Sequence, residues 1–333
     1  MKLFNKNLHK EILYIAEIGV NHEGNIKKLK KLIIDAKNAG ADVVKFQCYT
    51  PENYVTIENE KYSRTCKFFI SRNNFKKIIK FCKKIKIHYL FTPLSHDWLK
   101  FIKNNSKTVK VASGDLNFNY LLKNIVNLNL NILLSTGVSD VNEIKTAIKI
   151  IKKKYQNKIK DKLVLMHCVS SYPVPDNLAN MLSVKYLKDK FNLTIGYSNH
   201  VIGINACLAS ICLGAKVIEF HFTDNKKRKF RDHQLSLNKT DVKKLISTGN
   251  NLNLLMGQYT KELSKIVKKD KHNINKGIIV NKDLLKNKIL SLDDLSFARP
   301  AKYFHANQIK KVLNKKLKTN MKAGMLIKKS IIS

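Results

Sequence analysis

Acids, imidazoles, lysines and hydroxyls recur at one regular place in this chain, at or just beyond the end of each short β-branched run. Glu17 closes the first run, and Lys45 and Gln47 close the second. Thr92 follows the third, Lys110 and Ser113 the fourth, and Ser135 the fifth. His167, Ser170 and Tyr172 follow the sixth, Ser198 and His200 the seventh, and His221 the eighth. Lys45 lies in Val43-Val44-Lys45-Phe46 and Lys110 in Thr108-Val109-Lys110-Val111. An ammonium group is costly to bury without an anion, so these lysines read as half of a binding site. With Thr92, Ser113, Ser135, Ser170 and Ser198 they make a cradle for a phosphate and a carboxylate. The competing reading has both lysines snorkelling outward between helices.

His200 and His221, at adjacent strand ends, can bring two imidazoles to one divalent ion. With only two imidazoles and a nearby Glu17, such an ion keeps waters and open positions. That suits catalytic Mn²⁺, with Mg²⁺ or Co²⁺ as alternatives, better than structural zinc. Asp232, in Arg231-Asp232-His233, is either a solvated loop charge or an acceptor for a substrate hydroxyl. Cys168 lies beside His167 but lacks an orienting third group, and is expected to be a buried structural thiol. His22, His88, His96, His233, His272 and His305 take no role from sequence alone.

The elements that must position these groups follow from periodicity. Strands are expected near 12–17, 42–47, 88–92, 108–112, 131–135, 163–168, 192–197 and 217–221. Amphipathic helices are expected at 26–38, 73–86, 141–154, 202–213 and 239–256. Strand–helix alternation implies right-handed crossovers and a parallel sheet. Eight such units in a stretch of this length predict a (β/α)₈ TIM barrel, whose active sites lie at the C-terminal ends of the strands. No GxGxxG follows the first strand, which disfavours a doubly wound open sheet. The barrel is expected to cover 1–257. A polar, Lys-rich linker (258–272) then leads to a small β-rich module (273–333), marginal in size and expected to dock on a barrel.

Composition narrows the class. The 333 residues are 44% hydrophobic and 26% charged, which is globular. The formal net charge of +39 invites a nucleic-acid reading. The lysines are spread along the whole chain, however, as in Lys27, Lys28, Lys30 and Lys31, so a generally basic surface is favoured. No apolar run approaches the roughly 20 residues of a membrane span, and no secretory signal pattern is visible. A cytoplasmic location is expected, with the six cysteines reduced.

Ordered motifs then carry a resemblance. They are Ala16-Glu-Ile-Gly-Val-Asn-His-Glu-Gly24, Gly40-Ala-Asp-Val-Val-Lys-Phe-Gln47, Phe91-Thr-Pro93, Lys110-Val-Ala-Ser-Gly114 and Leu134-Ser-Thr-Gly137. Further along come His167-Cys168 through Tyr172-Pro173, Ile195-Gly-Tyr-Ser-Asn-His200, Glu219-Phe-His-Phe-Thr223 and Arg231-Asp232-His233. Together they resemble the sialic acid synthase family, which includes N-acetylneuraminate, legionaminate and pseudaminate synthases. The tail, with Arg299-Pro300, resembles that family's antifreeze-like SAF domain, a β-clip fold.

The resemblance implies a metal-dependent, phosphoenolpyruvate-utilising transferase of sialic acid biosynthesis. Phosphoenolpyruvate condenses with an N-acylated hexosamine and water, and phosphate is released. Lys45, Thr92, Lys110, Ser113, Ser135, Ser170 and Ser198 would hold phosphoenolpyruvate, and His200 and His221 the metal. Glu17, Gln47, Tyr172 and Asp232 would meet the sugar, the metal-bound water, or both. Arg299 would enter the partner's barrel in a domain-swapped homodimer. Asp115, where the N-acetylneuraminate branch usually has Glu, joins Glu17, Lys45 and Lys110 in the implied catalytic set. The alternatives are a Schiff-base barrel aldolase using Lys45 or Lys110, and a basic nucleic-acid-binding protein.

Overall fold

A computed structural model describes residues 1–229 and 231–333. The chain opens with an antiparallel hairpin of β1 (Lys2–Leu3) and β2 (Lys6–Asn7), then alternates strand and helix. The first half runs β3 (Leu13–Glu17), α1 (Ile26–Asn38), β4 (Val43–Cys48), α2 (Pro51–Tyr54), α3 (Tyr62–Phe68), α4 (Arg72–Lys84), β5 (His88–Pro93), α5 (Leu99–Asn105), β6 (Thr108–Val111) and α6 (Asn119–Asn127). The second runs β7 (Asn131–Ser135), α7 (Val141–Tyr155), α8 (Ile159–Lys162), β8 (Leu163–His167), α9 (Leu182–Phe191), β9 (Thr194–Asn199), α10 (Asn205–Cys212), β10 (Val217–His221), α11 (Arg231–Leu235) and α12 (Lys239–Met256). Strands β3 to β10 pair in order, all parallel, and β10 closes onto β3. This is the expected (β/α)₈ barrel.

Local chemistry explains the main helices. Asn25 caps α1 by accepting from the Lys28 N–H, and Ser71 caps α4 by accepting from Asn74. Capping boxes start α7 (Asp140 with Glu143) and α12 (Asn238 with Asp241). In α1 the residues Leu29, Leu32, Ile33 and Ala36 form the stripe that buries against the sheet.

The period of two along each strand builds the barrel interior in layers. Leu13, Ile15, Val43, Leu90, Leu133, Val164, Met166 and Val217 form an apolar cluster, which Met1, Leu3 and Leu8 of the hairpin segment join. Two residues further along, the same inward face changes character: Ile15 is followed by Glu17, Val43 by Lys45, Leu90 by Thr92, Leu133 by Ser135 and Val217 by Glu219. An apolar floor thus lies beneath an ionic layer at the C-terminal mouth.

Contacts divide the chain into two units, Met1–Gly257 and Gln258–Ser333. The second contains α13 (Lys265–Ile274), then β11 (Gly277–Val280) paired antiparallel with β12 (Leu295–Ala298). Isolated bridges such as Leu284↔Met321 and Leu317↔Ile332 complete it around a core of Ile278, Val280, Leu290, Phe304, Val312 and Ile327. The expected linker is therefore partly helical. Ser264 caps α13 by accepting from Val267 N–H, and a Lys-rich composition is compatible with a solvated helix. Among the described residues no helix is long and apolar enough to cross a membrane.

Helix α12 seals the barrel through a close approach at Gly249. A Cβ there would lie 2.5 Å from Tyr14 Oη and 2.8 Å from Ile211 Cδ1, and Tyr14 is fully buried in β3. Gly249→Ala is expected to destabilise the barrel by about 1–3 kcal/mol, the usual scale of overpacking, despite the better helix propensity of alanine. Urea unfolding followed by circular dichroism measures it, and an unchanged or raised midpoint would contradict this packing.

Candidate active site

The strand register sets the site. Glu17 pairs with Lys45 across β3 and β4, and Ser198 with Glu219 across β9 and β10. Lys45 Nζ lies 2.9 Å from Glu17 Oε2 and 3.5 Å from Glu219 Oε1, and donates to Thr92 Oγ1 at 3.1 Å. Lys110 Nζ lies 3.9 Å from the same Glu219 oxygen and donates to Ser135 Oγ at 2.6 Å. Ser198 Oγ donates to Glu219 Oε1 at 2.8 Å, while Gln47 Nε2 donates to Glu17 Oε1 at 3.0 Å. All four charged residues are at most 4% exposed, so neither lysine snorkels outward.

The two carboxylates are driven apart in protonation. Burial favours the neutral acid in both. In Glu219 the flanking Lys110 and Lys45 outweigh burial and hold its pKa well below the usual range. In Glu17, burial and then the charge of Glu219 raise the pKa against the pull of Lys45. Lys110 is lowered, chiefly by burial. Two acids with opposed shifts at one site are the pattern of divided acid and base roles.

Above this layer the loops add hydroxyls. Ser113 Oγ accepts the Gly137 N–H at 3.0 Å. A Cβ on Gly137 would lie 2.6 Å from Ser170 Oγ, 2.8 Å from Ser113 Oγ and 3.0 Å from Cys168 Sγ, so only glycine lets these groups converge. The resulting cavity of about 170 Å³ is lined by both lysines, both glutamates, Gln47, Thr92, Ser113, Ser135, Ser170, Tyr172, Ser198, His200 and His221. A second cavity of about 280 Å³ adjoins it, sharing Gln47, Tyr54, Tyr172 and His221 and adding Asp232, Val20, Tyr49, Lys61, Arg64 and Phe68.

The imidazoles meet at the junction of the two cavities. The His200 and His221 rings are 5.4 Å apart between centroids, with Tyr172 4.1 Å from His200. His200 Nδ1 lies 2.7 Å from the Val169 carbonyl, and the Asp232 carboxylate lies 3.9 Å from His221 Nδ1. Asp232 is buried and sits on α11 rather than on a loop. Cys168 is buried in the wall, its Sγ 3.6 Å from His200 Nδ1.

Two of the implied groups lie outside these cavities. Asp115, in a 3₁₀ turn after β6, flanks the smaller cavity, and burial pushes its carboxyl up to about 6 against the pull of Lys110. Arg299 is an exposed residue of the second unit, just after β12. His167 also turns away, with Nε2 2.9 Å from the Ala179 carbonyl and its ring stacked on Tyr197. Glu219 went unremarked as a site group in the sequence, although it shares the inward face with His221 two residues later. Tyr54 was equally hidden, because α2 belongs to a long connection with no strand-end signal.

The NeuB family matches residues 32–261, and the SAF domain matches residues 275–332. The chain is 34% identical to the N,N'-diacetyllegionaminic acid synthase of Campylobacter jejuni, over 96% of this chain and 99% of that one. It is 27% identical to the pseudaminic acid synthase of the same species, covering 98% of each. Among solved structures, the N-acetylneuraminic acid synthetase of Leptospira borgpetersenii superposes with a TM-score of 0.74 at 29% identity, covering 78% of this chain and 90% of that one. With the closed barrel, the ionic layer at its mouth and these matches taken together, the chain belongs to the NeuB family of sialic-type acid synthases and carries a C-terminal SAF domain.

Proposed function

We propose that this enzyme condenses phosphoenolpyruvate with the open-chain aldehyde of an N-acylated hexosamine and water, releasing phosphate. The sugar class is N-acetylmannosamine or a related 2,4-diacetamido sugar. The observation carrying this reading is the buried pair of lysines between two glutamates, in a hydroxyl-lined cavity that opens onto a second one. Lys110, Ser113, Ser135 and Ser170 suit a phosphate, and Lys45 with Thr92 and Ser198 suits the carboxylate beside it. The adjoining cavity, with Gln47, Tyr172 and Asp232, suits the hydroxyls of a sugar.

The residues present also fit a divalent ion such as Mn²⁺. The Val169 carbonyl engages His200 Nδ1, which leaves Nε2 to carry a ligand lone pair. Among the described residues no three His, Cys, Asp or Glu side chains are grouped to hold an ion. His200 and His221 would therefore hold it with water and substrate oxygens. When bound, the ion would supply Lewis-acid polarisation of the acceptor's carbonyl oxygen.

Carbon 3 of phosphoenolpyruvate bonds to the aldehyde carbon, whose oxygen gains a proton. Water adds to carbon 2, and the carbon 2–oxygen bond to phosphate breaks, leaving a 2-keto acid. Glu17, between Lys45 and Gln47, is placed to take the proton of that water. The lysines stabilise the departing phosphate in a desolvated site. Holding both substrates in adjoining cavities supplies proximity.

By the family resemblance, we further propose a homodimer in which Arg299 of each SAF domain serves the other subunit's acceptor cavity. Exposed apolar groups in the segments that follow the strand ends, including Tyr120 at the start of α6, Leu182 at the start of α9, Leu178 and Ile202, favour a covering partner.

Incubating the full chain with phosphoenolpyruvate, Mn²⁺ and a panel of N-acylated hexosamines is expected to release inorganic phosphate only with the matching sugar. No release with any sugar from folded protein would overturn the assignment, and borohydride trapping of pyruvate on a lysine would favour the aldolase. Glu219→Gln is expected to lower kcat/KM for phosphoenolpyruvate by about 10²-fold or more, because it unbalances both lysines. An undiminished value would remove Glu219 from the site. Mixing Arg299→Ala chains with Lys110→Met chains is expected to restore activity that neither has alone, and absence of complementation would exclude the shared site.

A further inference from the structure

The loop between β3 and α1 contains a residue in an unfavourable backbone conformation with an unusual number of partners. Glu23 has φ of +51°, in the left-handed region that favours glycine, and is followed by Gly24 at +75°. A Cβ on Gly24 would collide with the Lys67 carbonyl of α3, so the loop presses directly on that helix. The next residue of α3, Phe68, lines the larger cavity, as does Val20 of the loop itself.

One oxygen of Glu23 gathers three cationic or N–H donors from two directions. Lys28 Nζ lies at 2.6 Å, His233 Nε2 at 3.0 Å and Arg228 Nη1 at 3.5 Å. A carboxylate can only accept, so the Nε2 of His233 carries the proton. The other ring nitrogen, Nδ1, is 2.7 Å from Thr223 Oγ1, just beyond β10. His233 is completely buried and adjacent in sequence to Asp232. A second tether runs parallel to the first. Asn21 Nδ2 donates to the Phe222 carbonyl and to Ser236 Oγ, each at 2.9 Å, and Ser236 Oγ bonds the Asp232 carbonyl.

We infer that Glu23 and His233 form a latch that positions Asp232 and the α3 wall, so that the β3–α1 loop sets affinity for the occupant of the larger cavity and not for the phosphate-bearing substrate. This rests on the reading of that cavity as the acceptor site. Glu23 and His233 are positioning residues: the described contacts of both lead to other parts of the frame, and neither lines either of the two active-site cavities. The strained backbone is held because the carboxylate's partners and the Gly24 contact over-determine it.

The test uses the full chain with phosphoenolpyruvate, Mn²⁺ and the sugar that supports phosphate release. Glu23→Gly removes the carboxylate at a backbone position glycine prefers, so relieved strain offsets the lost contacts in the fold. Its thermal midpoint is expected not to fall, while the acceptor KM rises roughly tenfold, the scale of one lost charge-assisted hydrogen bond, and the KM for phosphoenolpyruvate stays within about twofold. Glu23→Gln keeps an oxygen for His233 Nε2–H and is expected to hold the acceptor KM within about threefold of the parent. An unchanged acceptor KM in Glu23→Gly, or both KM values rising together, would overturn the latch. Should the parent release no phosphate with any sugar, the functional reading fails and amide hydrogen exchange decides the latch. Faster exchange over Asp232–Leu237 in Glu23→Gly supports it, and unchanged exchange overturns it.

Discussion

Four buried charges in two lysines and two glutamates are the constraint on which the rest of this barrel depends. Across strands β3, β4, β6 and β10 they form a chain of ion pairs, Glu17–Lys45–Glu219–Lys110, each link shorter than 4 Å. Breaking a buried ion pair by removing one partner costs about 3–5 kcal/mol, so each charge requires the others. The arrangement holds only if strand register is held, and register is fixed by the apolar layer two residues below. A slip of one residue would turn the ionic layer outward and the outer core inward. Function and fold are therefore written on the same inward face. Glu219 bridges the two ammonium groups and accepts from Ser198, while Thr92 and Ser135 accept from Lys45 and Lys110. A phosphate and a carboxylate entering this cavity meet donors already in place, the condition under which electrostatic stabilisation is strongest.

Above the ion layer the labour is divided among loops. The turn after β7 gives up a side chain at Gly137 so that two hydroxyls and a thiol can converge. The long connection after β4 supplies Tyr54 and the α3 wall of the larger cavity, and the segment after β10 supplies Asp232. Loops of this kind carry specificity on a rigid frame. The matches to legionaminic and pseudaminic acid synthases span nearly the whole chain, barrel and connections alike.

Much of this was legible in the sequence because burial and periodicity are strong signals. All eight barrel strands were placed to within a few residues, and α1 and α12 match their expected bounds. Lys45 and Lys110 stood out because a lysine amid β-branched residues needs an explanation. Glu219 is less conspicuous, since a single acid two residues before His221 carries no motif of its own, although an i, i+2 reading puts both on one face. The β1–β2 hairpin was missed because its turn residues, Phe4 and Asn5, both adopt positive φ without a glycine to announce it. Helices α2 and α3 are short and weakly periodic, and they are specified by packing against the mouth rather than by propensity. Asp232 reads equally as a loop charge or a substrate-hydroxyl acceptor, since its placement depends on Asn21, distant in sequence, acting through Ser236.

The most direct test is a crystal structure of the protein with phosphoenolpyruvate bound. The expected result places the ligand's phosphate and carboxylate within hydrogen-bonding distance of Lys110 Nζ and Lys45 Nζ, among Ser113, Ser135 and Ser170. Phosphoenolpyruvate bound elsewhere, with both lysines still engaged only by Glu17 and Glu219, would contradict the account.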